Sequence, residues 1–394
     1  MQRSAVAVTA FGAVTALGAG VDALWQGQLE GRRPFSNVTT FEARACRVQV
    51  AAEVKVPVPL VGDDRSASLA VMAATEALSA GSVDPKHQRV GLVVGSACAS
   101  TAVLERALSN PSELPVGWWR QYEKRWLADV IASQLNREYG IAIGPRSVVN
   151  TACTSGAVAI AIAADWLRAG DCDCVLAIGT DELARFTYTG FLALRSLDPQ
   201  ACRPFDRGRR GLTIGEGAGC LILERSADAV RRGCSVRGHV LAVGLACDAH
   251  HLTAPDPEGA GAARAILKGL SESELDVRDI GFVNAHGTGT PLNDVAEVAS
   301  LERALGAYAP SCPVHSVKGT TGHCMGAAGA IEAVVALRSL ETGIVPPTAG
   351  LVDSEFEGRV RCVKEQPIHV EASYAISTSF GFGGNDAVVV LAHA

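Results

Sequence analysis

The sequence has few aromatic and charged residues, and it contains no segment that separates one part of the chain from another. Aromatic residues make up only 5% of the 394 residues and charged residues 19%, whereas hydrophobic residues make up 48%. A core with so few rings is expected to consist of Ala, Val, Leu and Ile in closely packed helices and strands. Because the chain lacks a Pro/Ser linker, a charge block and a low-complexity stretch, two fused halves fit its length better than independent domains.

The chain also lacks a long apolar run. No uninterrupted apolar segment reaches the ~20 residues that are needed to span a bilayer, so we expect no membrane insertion. The first twenty residues combine a basic start with an apolar stretch, as a secretory signal does, but Gly12 and Gly18 interrupt it. A β-strand over Ala5 to Thr9 followed by a loop accounts for this stretch directly. The net charge of −6 does not favour nucleic acid or an anionic membrane as a partner.

The 12 cysteines are scattered and lack the spacing of a small disulfide-rich domain. In a chain of this size, such scattering indicates free thiols in a reducing cytoplasm. Cys172 and Cys174 flank Asp173 before an apolar strand, and no second pair of ligands with zinc spacing follows. The sequence therefore predicts a cytoplasmic protein without a metal site.

Short apolar runs alternate with helical segments, a pattern that is typical of mixed α/β layers. Predicted helices cover Ser66 to Ser79, Leu127 to Tyr139, Gly156 to Ala169, Gly261 to Leu270, Asp294 to Leu305 and Gly326 to Thr342. Further predicted strands cover Arg89 to Val94, Val175 to Ile178, Ala218 to Leu223, Gly281 to Val283, Tyr374 to Thr378 and Ala387 to Leu391. No internal sequence repeat is visible.

Cys153 lies where an extended apolar stretch gives way to a helix of small residues, Gly156 to Ala169, which ends at Gly170. Unsatisfied amides and the positive end of the dipole at a helix N-terminus favour a thiolate. We therefore expect a lowered thiol pKa and a nucleophilic role for Cys153. The alternative is a small buried hydrophobic residue, which is what most cysteines are.

Two histidines stand in matching loop settings. His286 follows an apolar strand in the run Asn284-Ala285-His286-Gly287-Thr288-Gly289-Thr290, and His323 follows Gly322 before another small-residue helix. Glycine-rich loops allow the backbone to approach a ligand closely. A lone histidine is more often structural, but two such histidines together with Cys153 favour a functional site.

These residues resemble the elongating β-ketoacyl-acyl carrier protein synthases, the Cys-His-His type within the thiolase-like superfamily. The resemblance covers almost the whole chain and includes Val6-Ala7-Val8-Thr9-Ala10-Phe11-Gly12, Arg203-Pro204-Phe205-Asp206, Gly215-Glu216-Gly217-Ala218-Gly219 and Ser379-Phe380-Gly381-Phe382-Gly383-Gly384. Initiating ketosynthases, with a Cys-His-Asn pattern, and thiolases, with a second cysteine near the C-terminus, are less similar. The resemblance implies a five-layered αβαβα thiolase-like fold of two pseudo-equivalent halves. Residues 1–237 would carry the nucleophile, and residues 238–394 would carry both histidines.

The resemblance also implies a reaction, the decarboxylative condensation of a malonyl-carrier with an acyl chain held on Cys153, in a discrete type II fatty-acid or polyketide system. Neutral His286 and His323 would stabilise developing negative charge, and the backbone amides of Cys153 and Phe382 would form an oxyanion hole. Lys318 belongs to this catalytic set, and its expected partner Glu332 would help to hold the loop of the second histidine. Asp294 is a further supporting residue, although for Asp294 and Glu297 a charge at a helix N-terminus is an equally good interpretation.

Substrate contacts follow from the same resemblance. Thr288 and Thr290 would bind the pantetheine arm, and Phe382, Thr253 and His251 would form the acyl pocket and its gate. We expect no bound cofactor, because the phosphopantetheine arm arrives on an acyl carrier protein. Arg195 matches a carrier-contacting position, and Arg207 is a further candidate for carrier docking.

Some segments depart from the family pattern. Gly95 to Thr101 replaces a glycine-rich run, Pro111 to Arg120 lacks the usual Ser-Pro-Phe segment, and Asn385-Asp386 stands where Thr-Asn is usual. The first two changes fall where the family forms its dimer interface and acyl pocket, so acyl preference stays open. Two alternatives follow: a specialised ketosynthase, for a polyene or another secondary product, that pairs with a non-catalytic chain-length subunit instead of forming a homodimer, and an acyltransferase without condensation. The second is less favoured because simple acyl transfer would not require both histidines.

Overall fold

The computed structural model describes residues 5–81, 83–84, 88–122 and 126–394, so the basic start of the chain lies outside the described residues. The α-helices of this part are α1 (Val21–Leu29), α2 (Arg65–Ala80), α3 (Thr101–Ser109), α4 (Trp118–Tyr122), α5 (Leu127–Tyr139), α6 (Ser155–Ala169), α7 (Arg185–Ala193), α8 (Ser226–Arg231), α9 (Ala260–Glu272), α10 (Pro291–Leu305), α11 (Lys318–Thr321) and α12 (Ala328–Thr342). Short 3₁₀ helices cover Pro111–Glu113, Val277–Asp279, Gly306–Tyr308 and Met325–Ala327. The strands are β1 (Val6–Thr15), β2 (Gly18–Ala19), β3 (Ser36–Asn37), β4 (Val50–Ala51), β5 (Val90–Gly95), β6 (Ile143–Val149), β7 (Cys174–Asp181), β8 (Gly217–Arg225), β9 (Gly238–Cys247), β10 (Ile280–Asn284), β11 (Pro313–His315), β12 (Ile344–Val345), β13 (Arg361–Cys362), β14 (Ile368–His369), β15 (Tyr374–Gly381) and β16 (Asn385–Ala392).

The sheet topology repeats itself. One half has the strand order β6-β5-β7-β8-β1 and the other has β11-β10-β15-β16-β9, and the two join where β1 pairs with β9. In each half the strand that comes first along the chain lies at this junction, and the third lies at the other end of that strand order. In the second half the short strand β13 pairs with β11 and extends the sheet by one strand. The pairings along the two orders also agree, since each half has two parallel pairs followed by two antiparallel pairs. The halves are therefore pseudo-equivalent in structure although no repeat is visible in the sequence.

Five layers result from this duplication. Helices α6 and α12 lie between the two halves of the sheet and share one apolar core with both. Helices α2 and α5 cover the outer face of the first half, and α9 and α10 cover the outer face of the second. The predicted αβαβα arrangement of two pseudo-equivalent halves is confirmed.

Small residues let the two central helices touch where each one begins. A Cβ on Gly156 would lie 2.8 Å from the backbone N of Ala330, and a Cβ on Gly329 would lie 2.7 Å from the backbone N of Ala157. A side chain at either glycine would force α6 and α12 apart. This close approach brings the turns before the two helices, which carry Cys153 and His323, to the same point of the molecule.

The predicted helices and strands are confirmed, with small shifts at their ends, except at the first strand. That strand was expected to end at Thr9 before a loop, but β1 continues to Thr15. Gly12 is not a loop residue: a Cβ there would lie 2.1 Å from the carbonyl oxygen of Ala73, so its absence allows α2 to pack directly onto the strand. The last predicted helix begins as a 3₁₀ turn, and regular α12 starts at Ala328.

No helix in the described ranges is both long and apolar enough to cross a membrane.

Candidate active site

Cys153 lies in the sharp turn that joins β6 to α6. The preceding residue, Ala152, adopts φ +55°, a left-handed conformation that residues with a Cβ rarely occupy. Hydroxyl groups brace this turn: Ser155 Oγ donates to the Ala152 carbonyl at 2.6 Å and accepts from the Thr151 backbone N–H at 3.0 Å. The side chain of Cys153 is buried, with only 5% of the residue exposed.

The expectation of a lowered thiol pKa at Cys153 is wrong. Burial raises the pKa of this thiol to about 12, and a nearby carboxyl, Asp181, contributes to the rise. The Lys318 ammonium and a hydrogen bond from the Phe382 backbone N–H both oppose it. Loss of water around the sulfur outweighs the helix N-terminus, because desolvation penalises the thiolate and not the thiol. The resting side chain of Cys153 is therefore a neutral thiol.

The turn after β15 closes over Cys153. A Cβ on Gly381 would lie 3.1 Å from the Thr151 carbonyl oxygen and 3.2 Å from the Cys153 backbone N, so glycine permits the contact. The Phe382 backbone N–H points at the sulfur of Cys153. The Phe382 ring stacks on Phe191, with centroids 5.3 Å apart and an interplanar angle of 24°. Two backbone segments thus meet at the thiol, the arrangement that the predicted oxyanion hole requires.

Buried carboxylates hold the loop of His286. Glu297 Oε1 accepts from the backbone N–H of His286 at 2.8 Å, and Glu297 Oε2 accepts from that of Gly287 at 2.7 Å. Asp294 accepts from the backbone N–H of Gly289 at 3.1 Å and from that of Phe205 at 2.7 Å. Asp294 and Glu297 lie in the first turns of α10. Each is therefore both an acidic residue near a helix N-terminus and a hydrogen-bond acceptor for the loop of His286.

Lys318 fixes the tautomer of His286. Its Nζ, fully buried, contacts the carbonyl oxygen of His286 and the Glu332 carboxylate, and it lies 3.2 Å from His286 Nδ1. An ammonium can only donate, so Nδ1 accepts and the ring proton resides on Nε2. The pair Lys318–Glu332 was expected to hold the second histidine's loop, but its direct contacts are with His286.

His323 completes the pair of imidazoles. Its ring meets that of His286 edge to face, with centroids 5.2 Å apart, and its Nδ1 is buried without a hydrogen-bond partner among the described residues. The backbone N–H of His323 donates to the Thr213 carbonyl at 2.7 Å. Burial lowers the pKa of both histidines, and the Lys318 ammonium lowers both further. Each imidazole is therefore neutral at neutral pH.

Asp181 is a site residue that the sequence reasoning missed. It ends β7 and accepts hydrogen bonds from the backbone N–H groups of Ala97, Cys98 and Gly326, at 2.9, 2.8 and 2.6 Å. Burial raises its pKa to about 6, and these hydrogen bonds oppose the rise. It links residues 95–101, the segment that differs from the family pattern, to the turn that carries His323. An acidic residue directly after a buried strand is the signal that could have identified it.

The catalytic candidates open onto one cavity of about 310 Å³. Among the predicted site residues, its lining includes Cys153, His286, His323, Phe382, Thr288, Thr290, His251, Thr253 and Arg195. Lys318, Glu332 and Asp294 are buried behind this lining. Arg207 is not part of the lining, and its Nε pairs with Asp353 at 2.9 Å on the exposed surface.

The polar residues of the cavity are held by local hydrogen bonds. Thr288 and Thr290 share a hydroxyl contact at 2.9 Å, and Thr290 Oγ1 also caps α10 by accepting from the Asn293 backbone N–H. His251 Nδ1 accepts from the backbone N–H groups of Thr253 and Ala254 at 3.1 and 3.2 Å. The Nε2 of His251 is thus the protonated nitrogen when the ring is neutral.

Comparison with known proteins agrees with this geometry. The family model for the N-terminal domain of beta-ketoacyl synthases matches residues 3–229, and the model for the C-terminal domain matches residues 237–352. The 3-oxoacyl-[acyl-carrier-protein] synthase 2 of a Synechocystis strain is 34% identical, covering 98% of this chain and 97% of that protein. The enzyme of the same name from Staphylococcus aureus is 31% identical over 99% of this chain and 98% of its own.

Solved structures are similar over the same length. The ishigamide ketosynthase/chain length factor is 30% identical, covers all of both chains and superposes with a TM-score of 0.90. A type II PKS acyl-carrier protein in complex with its ketosynthase, bound to the hexaketide, is 26% identical, covers all of both chains and has a TM-score of 0.91. The predicted thiolase-like fold is confirmed. The chain therefore belongs to the β-ketoacyl synthase family of acyltransferases, as its cysteine and histidine motifs predicted.

Proposed function

We propose that this protein is a 3-oxoacyl-[acyl-carrier-protein] synthase that condenses a malonyl-carrier with an acyl chain held on Cys153. The convergence of one buried thiol and two neutral imidazoles on a single cavity carries the proposal. A cysteine and two histidines in this arrangement provide a nucleophile and two hydrogen-bond donors for an enolate.

In the first half-reaction, the sulfur of Cys153 attacks the thioester carbonyl of the acyl carrier and expels the carrier thiolate. The proton of the Cys153 thiol ends on the carrier sulfur, so the carrier is released as a neutral thiol. With a thiol pKa of about 12, little free thiolate precedes attack, so the proton must leave the Cys153 sulfur as the new bond forms and pass to the departing carrier sulfur. The backbone N–H groups of Cys153 and Phe382 would stabilise the oxyanion that forms on the acyl carbon.

In the second half-reaction, the malonyl-carrier loses CO2 and forms an enolate. His286, with its proton on Nε2, donates to the developing oxyanion, and neutral His323 donates beside it. Lys318 acts through His286: it holds the ring in this tautomer and discourages its protonation. The enolate carbon then attacks the acyl-enzyme, and the released Cys153 thiolate takes up a proton from water.

The substrates arrive on an acyl carrier protein, whose phosphopantetheine arm enters the cavity without any cofactor being bound to the enzyme. Thr288 and Thr290 would bind the arm, since both residues line the cavity. His251 and Thr253 line the same cavity as Phe382, the proposed acyl gate. Arg195 is exposed at the cavity and offers a cation to an acidic carrier, and Arg207 would extend the docking surface if its pair with Asp353 opens.

A specialised enzyme that functions with an unlike, non-catalytic subunit is the second candidate. Two observations favour it. A similar solved structure is a ketosynthase/chain length factor. In addition, residues 95–120, which differ from the family pattern, expose large apolar side chains. Val116 is fully exposed and Trp119 is 46% exposed. Such side chains are typical of a surface that another chain covers.

We also propose a division of the chain between residues 237 and 238 and a cytoplasmic location. The repeated strand order and the start of β9 at Gly238 support the division. The twelve cysteines, all free, support a reducing compartment.

Mass spectrometry of the intact protein and of the carrier tests the main proposal. Wild type is mixed with a medium-chain acyl-carrier and then with a malonyl-carrier, with Cys153→Ala as the control. An acyl adduct on wild type alone, followed by a β-ketoacyl carrier that is two carbons longer, supports the enzyme as proposed. An adduct without extension contradicts it for the isolated chain, and adding a candidate partner subunit then separates the second candidate from simple acyl transfer.

A further inference from the structure

Two acidic side chains meet behind the gate residue Phe382. Asp386 is the second residue of β16 and lies opposite Phe380 in the β15–β16 hairpin. Asp248 follows the end of β9, which pairs with β16 on its other side. Both carboxyl groups reach the cavity that Cys153 lines.

The facing oxygens of these two residues have no other partner. Asp248 Oδ1 and Asp386 Oδ2 are buried and accept no hydrogen bond from the described residues, and the Asp248 side chain contributes to a raised pKa of Asp386. A Cβ on Gly261 would lie 2.3 Å from Asp248 Oδ1 and 2.7 Å from Asp386 Oδ2, so both oxygens converge at the first turn of α9. Two ionised carboxylates cannot bond to each other, whereas a carboxyl and a carboxylate that share one proton can.

The same two elements are joined by their backbones. We call residues 382–384 the gate loop and residues 248–256 the rim loop. The Asp248 backbone N–H donates to the Gly384 carbonyl at 2.8 Å, and the Gly383 backbone N–H donates to the Leu252 carbonyl at 2.8 Å. The Asp256 backbone N–H donates to Asp248 Oδ2 at 2.9 Å and fixes that carboxyl within the rim loop. A bond from Asp386 to Asp248 would therefore complete the attachment of the gate loop to the rim loop.

We propose that Asp386 and Asp248 share one proton, and that Asp386 is thereby a positioning residue that holds the gate loop, and with it Phe382, in place over Cys153. This inference rests on the proposed function and adds a pH-dependent control to the same site. When the shared proton is lost, two like charges face each other, and the gate loop separates from the rim loop.

The surroundings set the direction of the pH dependence. The charged and titratable groups near Asp386 are Asp248 and Asp256 of the rim loop, Arg264 of α9 and the neighbouring Cys247 and His251. Burial and the Asp248 carboxylate raise the pKa of Asp386 to about 8, Arg264 opposes this, and Asp256 adds to the rise. The guanidinium of Arg264 donates to the Cys247 carbonyl at 2.8 Å, and its effect on the pKa of Asp386 is smaller than those of burial and of the Asp248 carboxylate. The proton is held below that pH and lost above it.

The substitution Asp386→Asn tests the inference, because an amide donates a hydrogen bond that no rise in pH removes. It also restores the asparagine that is usual in the family pattern. The rate of Cys153 acylation and the melting temperature are measured for both proteins from about pH 6 to about pH 9. We expect the ratio of the variant rate to the wild-type rate to rise several-fold over this range, and the melting temperature of wild type to fall by a few degrees relative to the variant.

Two further variants provide a second test and a control. Asp248→Asn places the amide on the other residue of the pair. It should reproduce the pH dependence of both the rate ratio and the melting temperature, even if Asp386→Asn folds poorly. Asp256→Asn removes a nearby charge without touching the shared proton, so wild-type pH dependence should persist in it. Flat ratios and flat melting differences for both amide variants would overturn the inference while leaving the proposed function intact. A wild type that forms no acyl adduct at any pH would instead contradict the proposed function, and the melting measurement would still report on the pair.

Discussion

The two halves of the molecule use equivalent turns for opposite chemical purposes. The turn that follows the third strand of the first half carries Cys153 before α6, and the corresponding turn of the second half carries His323 before α12. The Lys318 ammonium acts on both turns: it lowers the pKa of His323, and it opposes the rise in the pKa of Cys153, to which Asp181 contributes. The same backbone arrangement therefore carries a thiol in one half and an imidazole in the other.

The same physical cause acts on both turns with opposite sign. Burial disfavours every charged form, so it raises the pKa of the cysteine and lowers that of both histidines. The resting site is then a neutral thiol facing two neutral imidazoles, with Lys318–Glu332 as the buried ion pair behind them. The substrate would therefore meet an uncharged thiol and two uncharged imidazoles, which can donate or accept a proton.

The largest effect is expected at the first turn. Cys153→Ala should remove the acyl adduct and lower condensation by at least ~10³-fold, because Cys153 is the only cysteine among the described residues that line the cavity. Cys234→Ala is a suitable control, since that thiol is also free but lies outside the cavity lining. Persistent acylation of the Cys153→Ala protein, located by peptide mass spectrometry, would contradict the assignment of the nucleophile.

His323→Ala tests the second turn. We expect condensation to fall by ~10²–10³, the usual cost of losing one oxyanion donor, while acyl transfer to Cys153 continues. Single-turnover assays that follow each half-reaction separately measure this split. His315→Ala is the matched control: His315 is equally buried but outside the cavity lining, so its loss should reduce stability without separating the two half-reactions. Equal losses in both half-reactions of His323→Ala would mean that the residue is structural.

Lys318→Met should weaken both the fold and the catalytic site. Removing one member of a buried ion pair leaves Glu332 as an uncompensated charge, which typically costs ~3–5 kcal/mol. The double variant Lys318→Met with Glu332→Leu should recover most of that loss in urea unfolding. The ammonium also lowers the pKa of His286, so without it the imidazole protonates at a higher pH. Condensation by the double variant should therefore decline on the acid side at a higher pH than in wild type, and superimposable pH profiles would contradict this role of Lys318.

Much of the fold could be predicted because its signals are local. Apolar runs, glycines at helix ends and small-residue helices mark elements such as α5 and α6, and those signals do not depend on distant residues. Gly12 misled the prediction because its function is a contact with Ala73 on α2, and a glycine that permits close packing resembles a glycine that ends a strand.

The sequence predicted residues that the structure brings to one cavity, but it did not predict their electrostatics. Motif order identified Cys153 and both histidines as candidates, but the thiol pKa depends on how much water reaches the sulfur, and sequence position does not report that. The hydrogen bond from Gly326 to Asp181 joins residues 145 positions apart, and the contact of Lys318 with His286 spans 32. The first contact exists only after the two halves have packed together, and the second only after β10 and β11 have paired within the second half.

The smallest expected effect lies at the cavity mouth, far from either buried turn. Arg195→Ala should raise the KM for a carrier-bound substrate by ~2- to 5-fold and leave kcat nearly unchanged, because an exposed charge contributes little and acts mainly on encounter. The effect should shrink as salt increases, and it should vanish with a small acyl thioester that has no carrier protein. Arg207→Ala provides a second measurement for comparison. In wild type the ion pair between Arg207 and Asp353 must open before Arg207 can bind a carrier. A weaker effect at Arg207 than at Arg195 would confine docking to the cavity mouth, whereas an equal loss with the small thioester would show that Arg195 acts on the site itself and not on the carrier.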